Sequence, residues 1–310
     1  MKIIFFGSSR FGLPALKALM EAGQEIAYVV TQPDRKKGRG MDIHFTLIKE
    51  FALKNGLPIF QPANINSPQG LELLKKHKPD LFIVVAYGQI LSPEALAVPK
   101  IMPLNIHGSL LPAFRGAAPI NWAIIKGEAK TGVSIIKMSP RMDAGPIILK
   151  KQIVIQDADN ALALEDKLAE LGARALVESI ALIKDSRYTL AAQDENKASL
   201  APKLKKHNGR INWQGEALDI RNLIRGCSGW PDAFTGYKGK LLKIFKSAVV
   251  DKNFKKPGEI IEASAKGITV SCGKQALLIT ELQLEGKRKM SSADFIAGHK
   301  IKPGESLDNF

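Results

Sequence analysis

A chain of 310 residues with a net charge of +15 and an apolar fraction of 45% is long enough for two domains and has the composition of a water-soluble globular protein. It has no run of about 18 apolar residues, which argues against a membrane-spanning helix, and its two cysteines lack C-x-x-C spacing, which supports neither a zinc site nor a disulfide framework and favours the cytosol. The basic excess is uneven, +6 over residues 1–199 and +9 over residues 200–310, and points to an anionic partner such as nucleic acid.

Residues 2–7 read as a first strand rather than a secretory leader, since the apolar stretch is short and no small-residue cleavage pattern follows. Helical spacing appears over 14–22 and stops at Gly23, a strand is expected over 25–31, and 32–41 is a polar, basic loop. Residues 45–54 are helical, 57–60 a short strand, and 70–77 a helix ended by the Lys78-Pro79 step. Leu81-Phe82-Ile83-Val84-Val85-Ala86 is a continuous apolar run of strand length, the pattern of a strand covered on both faces. A strand over 101–106, a helix over 118–126, strands over 132–138 and 147–155, and a helix over 161–184 complete the alternation. This order predicts an α/β, Rossmann-like, mostly parallel sheet with helices on both faces. Residues 185–206 mix charges, small residues and Pro202 and read as a linker. Beyond it, strand-like segments at 211–213, 234–237, 241–248, 258–263, 267–271 and 276–284, separated by glycine-bearing turns, predict a small OB-like β-barrel with a helix over 216–225. The expected division is therefore 1–184, a linker at 185–206, and 207–310.

The stretch with most chemistry is Asn105-Ile106-His107-Gly108-Ser109-Leu110-Leu111-Pro112, continuing through Arg115-Gly116-Ala117-Ala118-Pro119. Two positions apart on a strand means the same face, so an amide and an imidazole share one face at a strand's carboxyl end, where open α/β sheets bind ligands. Both groups can donate to an oxygen that gains charge, and histidine can also move a proton near neutral pH. Asp143, in a Pro- and Gly-flanked loop between two strands, is placed to orient His107, raise its pKa, or hold a water for proton transfer. Gly7-Ser8-Ser9-Arg10-Phe11-Gly12 lacks the spacing of a dinucleotide fingerprint and the Lys of a P-loop, and reads as an ordinary strand-to-helix turn. Arg35, Lys36, Lys37 and Arg39 fall within five positions and form a phosphate-binding candidate on charge alone.

Taken together, Asn105-x-His107, Ser109 to Pro112, Arg115 to Ile120 and Met142-Asp143-Ala144-Gly145 resemble the 10-formyltetrahydrofolate-dependent formyltransferases. The similarity extends over nearly the whole chain, through Tyr87-Gly88-Gln89-Ile90, Gln193-Asp194-Glu195, Ala201-Pro202-Lys203-Leu204 and Gly229-Trp230-Pro231. The resemblance implies transfer of a formyl group from 10-formyltetrahydrofolate to the amino group of methionine esterified to initiator tRNA. Asn105 and His107 would stabilise the oxyanion and Asp143 would keep His107 protonated or oriented, with no metal and no covalent nucleophile. It further implies that Ser109, Leu110, Leu111 and Pro112, with Tyr87, Gly88, Gln89 and Ile90, line the folate site. Arg39 would reach the acceptor end of the tRNA, with Arg35, Lys36, Lys37, Lys203, Lys205 and Lys206 as further contacts, the protein acting as a monomer away from membranes. The chain departs from the family pattern over residues 40–49, where a basic, proline-containing stretch is expected. The same three polar residues would also serve a nucleotide-sugar amine or a purine precursor as acceptor, but a short acceptor leaves the basic second half without a role.

Overall fold

The computed structural model describes residues 1–37, 42–252 and 256–308. In chain order the elements are β1 (Lys2–Gly7), α1 (Leu13–Glu21), β2 (Glu25–Val30), β3 (Arg35–Lys37), β4 (Asp42–His44), α2 (Leu47–Lys54), β5 (Ile59–Phe60), α3 (Pro68–Lys76), β6 (Leu81–Val85), α4 (Pro93–Leu96), β7 (Met102–His107) and α5 (Pro119–Ile125). They continue with β8 (Lys130–Lys137), β9 (Ile147–Val154), α6 (Ala161–Lys184), α7 (Ala217–Gly226), β10 (Ala233–Tyr237), β11 (Lys240–Val250), β12 (Ile260–Ser264), β13 (Gly267–Ser271), β14 (Ala276–Leu284), β15 (Met290–Ser291) and α8 (Ser292–His299). Two compact units result: Met1–Ala117, Lys130–Val154 and Glu165–Ala201 form the first, and Ala118–Ala129, Ile155–Leu164 and Pro202–Phe310 the second. These units do not follow a simple cut of the chain into 1–184 and 207–310.

The first unit holds a seven-stranded sheet in the order β5-β2-β1-β6-β7-β8-β9. The five strands from β5 to β7 are parallel, while β8 and β9 add antiparallel. Every residue of β6 is buried, as its unbroken apolar run requires. Local chemistry sets the helix starts. Ser67 accepts from the Gly70 amide before Pro68 opens α3, and Thr46 Oγ1 accepts from the Lys49 amide at 3.1 Å at the head of α2. Thr46→Ala should therefore cost about 1 kcal/mol of unfolding free energy; an unchanged denaturant midpoint would show that the cap carries no weight. Gly172, an apparent weak point in α6, has a packing reason. A Cβ there would lie 2.8 Å from Ile106 Cγ2, so the glycine lets the helix approach the face of β7 opposite Asn105 and His107.

In the second unit, β10-β11-β14-β13-β12 form an antiparallel sheet with β15 on β14. Residues 304–308 join its two edges. Asp308 exchanges both backbone bonds with Gly236 of β10, and Leu307 donates to Gly258 just before β12. The sheet thereby closes into a barrel around Trp213, Leu242, Ile244, Val270, Leu277 and Ile279. Trp213 Nε1 donates to Thr235 Oγ1 at 3.0 Å, and that hydroxyl donates to the Asp308 carbonyl at 2.9 Å. Helix α5 packs on α7 through Gly226, where a Cβ would meet Ile125 Cγ1 at 2.5 Å; Asn121 Nδ2 donates to the Gly226 carbonyl.

Four expectations are corrected. The basic loop over 32–41 contains β3, paired antiparallel with β4, so Arg35–Lys37 are extended. Residues 211–213 are not a strand: Arg210 makes one bridge to Phe234, and the Asn212 side chain then accepts from Gln214 and turns the chain. Residues 187–201 are no free linker, because Ala191 exchanges backbone bonds with Ile147 of β9 and Leu200 bridges Arg115. Short helices at α4 and α8, capped by Ser92 and Ser291, were not anticipated.

Candidate active site

Strand β7 ends at His107, with β6 on one side and β8 on the other, Asn105 lying opposite Val84 and Ile136 and His107 opposite Ser134. His107 is 5% exposed. Its Nε2 lies 2.9 Å from the Phe114 carbonyl, which only accepts, so Nε2 carries a proton and Nδ1 is the free position. Nδ1 faces Asp143 Oδ2 at 3.6 Å, and Asn105 Nδ2 faces Asp143 Oδ1 at 3.5 Å. The amide, the imidazole and the carboxylate therefore converge at the end of β7.

The loop between β8 and β9 delivers Asp143 in a left-handed conformation (φ 51°), which orients its carboxylate. The Gly116 amide donates to Asp143 Oδ2 at 2.8 Å. Gly116 has φ 124°, and a Cβ there would lie 2.7 Å from the Ala201 carbonyl oxygen, so only glycine presents this amide. The backbone of the loop is held from behind. Gln193 Nε2 donates to the carbonyls of both Asp143 and Gly145, at 2.7 Å each. Gln193 Oε1 in turn accepts from Arg115 Nε at 3.1 Å and Nη2 at 2.8 Å. The buried Arg115 completes its donor set on the Glu195 carboxylate, which also receives Arg141. The Arg115 hydrogen bonds, with those of Arg141, hold the Glu195 carboxyl well below the usual carboxylate range, at about 2. Sequence reasoning matched Arg115, Gln193 and Glu195 to the family pattern but gave them no role. The available signal was an arginine inside a small-residue turn, which on burial requires several acceptors.

Burial pushes the His107 pKa down, against the opposing effects of Asp143 and the Phe114 carbonyl, and the net direction is below 6.5. Of the two expected roles of Asp143, holding the imidazole charged or orienting it, the downward direction of the His107 pKa favours orientation, with the ring neutral near pH 7. The unfolded chain binds a proton at His107 near pH 6.5 and the folded chain does not, so the contribution of this residue to stability is complete above pH 6.5 and declines as pH falls through the lower folded value. Unfolding free energy should therefore fall more between pH 7.5 and pH 5.5 in the wild type than in His107→Gln; identical slopes would contradict the assignment.

The expected folate residues fall into two groups. Ser109 is fully buried, its hydroxyl donating to the Ala113 carbonyl at 2.6 Å to close the turn, so it is not a free nucleophile. Leu111 is buried against Ile136 and Ile147, while Leu110 and Pro112 are half-buried, the Leu111-Pro112 peptide being cis. The Tyr87 ring lies in the core against Phe6, and its hydroxyl, buried without a partner, is pushed upward in pKa. Gln89 is occupied by the backbone of Pro62, Ala63 and Ile65. The exposed part of this segment is Gly88, at φ 93°, and Ile90, 73% exposed. Of the basic residues, Arg35, Lys36 and Lys37 lie on β3, Lys203, Lys205 and Lys206 are exposed on the second unit, and Arg39 lies outside the described residues. Among the described residues no group of His, Cys, Asp or Glu is placed to hold a metal ion, and no helix is long and apolar enough to cross a membrane.

Comparison with known proteins places this geometry in context. The family model described as formyl transferase matches residues 1–180, and that described as formyl transferase, C-terminal domain, matches residues 203–300. The methionyl-tRNA formyltransferase of Caldanaerobacter subterraneus subsp. tengcongensis is 43% identical over 308 residues, covering 99% of this chain and 100% of that protein. The methionyl-tRNA formyltransferase of Acetivibrio thermocellus is 43% identical over 310 residues, covering 99% of each. Among solved structures, the N-formyltransferase from Helicobacter canadensis aligns with a TM-score of 0.69 at 18% identity, over 94% of this chain and 100% of that one. HypX from Aquifex aeolicus aligns with a TM-score of 0.67 at 18% identity over 99% of this chain; the chain spans 49% of HypX, about half its length. At these identities the structural matches show the shared fold.

Proposed function

This chain belongs to the formyl transferase family, and we propose that it moves the formyl group of 10-formyltetrahydrofolate onto the amino group of methionyl initiator tRNA. The observation that carries the reading is the convergence of Asn105, His107 and Asp143 at 3.5 and 3.6 Å at the carboxyl end of β7, beside a Ser109 hydroxyl already committed to Ala113. Such a set suits direct attack of an amine on a formyl carbon. The amine nitrogen bonds to the carbon, the carbonyl oxygen takes up negative charge, and the bond to the folate nitrogen then breaks. The Asn105 amide donates to the oxyanion. His107 Nδ1 takes the proton that the amine loses, Asp143 stabilises the resulting imidazolium, and the proton passes to the departing folate nitrogen. Gly88 and Ile90, with the half-buried Leu110 and Pro112, offer the surface suited to the flat donor, since the Tyr87 ring is buried in the core and the side chains of Gln89 and Ser109 are hydrogen-bonded within the protein. The net +9 of residues 200–310 and the exposed Lys203, Lys205 and Lys206 favour an RNA acceptor over a small amine.

The test compares kcat/KM for initiator methionyl-tRNA with that for a nucleotide-sugar amine and for methionine amide, at one salt concentration. Preference for the charged tRNA, weakening as salt rises, is expected. Equal or better use of a small amine would overturn the acceptor assignment and leave the formyl transfer itself in place.

A further inference from the structure

We infer that Trp230 is a stacking platform for an unpaired nucleotide of bound RNA, an inference that rests on the acceptor being an RNA. Tryptophan is one of the most buried residue types on average, yet Trp230 is 60% exposed. Its exposure does not come from a loose loop. Gly229 donates to Asp232 Oδ1 at 3.2 Å, the Asp232 amide donates to the Cys227 carbonyl at 2.9 Å, and Lys243 holds Asp232 Oδ2 at 2.9 Å. Gly209 packs against the same turn so closely that a Cβ would lie 2.2 Å from the Asp232 carbonyl oxygen and 3.1 Å from Pro231 Cγ. The indole is thus held out on a braced turn, which lowers the entropic cost of contact with a ligand.

The segment beside that turn supplies matching charge. Lys203-Leu204-Lys205-Lys206-His207-Asn208-Gly209-Arg210 contains no acidic residue. Leu204 is buried and anchors it, while Lys203, Lys205, Lys206 and Arg210 are exposed and make no ion pair with another described residue. Arg210 bridges Phe234 on one side of β10, so an unpaired cation flanks the strand that follows Trp230, while Lys243, opposite Phe234 on the other side, is already paired with Asp232. An exposed aromatic face beside unpaired cations is the combination that binds single-stranded nucleic acid, with phosphates held by charge and a base held by stacking. A protein partner is disfavoured, because the segment beside the turn presents three exposed lysines and no acidic residue, and lysine is depleted at protein–protein interfaces.

The test uses deacylated initiator tRNA and the intact protein, followed by tryptophan fluorescence. The chain has three tryptophans; Trp213 is fully buried and Trp122 is half-buried with its indole on the Pro202 carbonyl, so the part of the RNA-induced quenching that is lost in Trp230→Phe reports on Trp230, and that part should be the larger. Trp230→Ala should weaken Kd roughly 5- to 150-fold, the range of one base–aromatic contact, with an unchanged dependence on salt because no charge is removed. Trp230→Phe should restore most of the affinity, which a loss of folding would not allow. Wild-type affinity in Trp230→Ala, or wild-type quenching in Trp230→Phe, would overturn the stacking role while leaving RNA as the acceptor. Failure of the wild type to bind the tRNA would instead remove the reading on which the inference rests.

Discussion

Replacing His107 by alanine is expected to lower kcat by roughly 10²- to 10⁴-fold, the range for loss of a positioned proton acceptor or oxyanion partner. The loss should fall on kcat and spare KM for both substrates, because the imidazole acts on charge that exists only in the transition state. Alanine also leaves the Phe114 carbonyl without its donor inside a buried site, so His107→Gln is the better-matched comparison. Glutamine can still donate to that carbonyl but takes up no proton, and it should be nearly as inactive as alanine while folding normally. A kcat for His107→Gln within about tenfold of wild type would remove histidine from the proton path.

The second large effect is expected at Gln193, a residue that touches no reacting atom. Its amide fixes the carbonyls on either side of Ala144, and Arg115 fixes its amide. Gln193→Ala frees the loop that carries Asp143, and a displacement on the order of 1 Å at a catalytic group costs about 10²-fold in rate. Gln193→Glu should be no better, because a carboxylate keeps the Arg115 contact yet presents oxygen to two carbonyl oxygens. The pH profile separates positioning from a general loss of structure. Asp143 raises the pKa of His107 against the larger effect of burial, so a displaced Asp143 leaves the pKa lower still, and the acid limb of kcat should move to lower pH in Gln193→Ala. Reduced kcat with an unmoved acid limb would mean that Gln193 does not act through Asp143.

Much of this architecture was legible because hydrophobic period and turn chemistry agree along the chain. The apolar run at Leu81–Val85 could only be a strand covered on both faces, and the spacing of Asn105 and His107 placed them on one face of β7. Other features were hidden for physical reasons. The strand direction of β8 and β9 depends on the path of connections that leave no mark in period-two patterning. The stretch 187–201 looks like a linker in composition, yet it is held by backbone bonds of Ala191, Ser199 and Ala201 and by the side chain of Gln193, all to partners distant in sequence. The charge state of His107 could not be read from a neighbouring aspartate alone. Burial, set by the whole fold around β7, outweighs the carboxylate. Ser109 shows the converse: a serine in a promising motif is spent on closing its own turn.

The most direct test of the central claim is a formylation assay with purified protein, 10-formyltetrahydrofolate and initiator methionyl-tRNA at saturating concentrations, the product identified by the mass of its N-formylmethionine. The wild type should form N-formylmethionyl-tRNA over many turnovers, and the Asn105→Ala and His107→Gln variants should form it at a small fraction of that rate. No product from the wild type, or full activity in both variants, would contradict formyl transfer at the carboxyl end of β7.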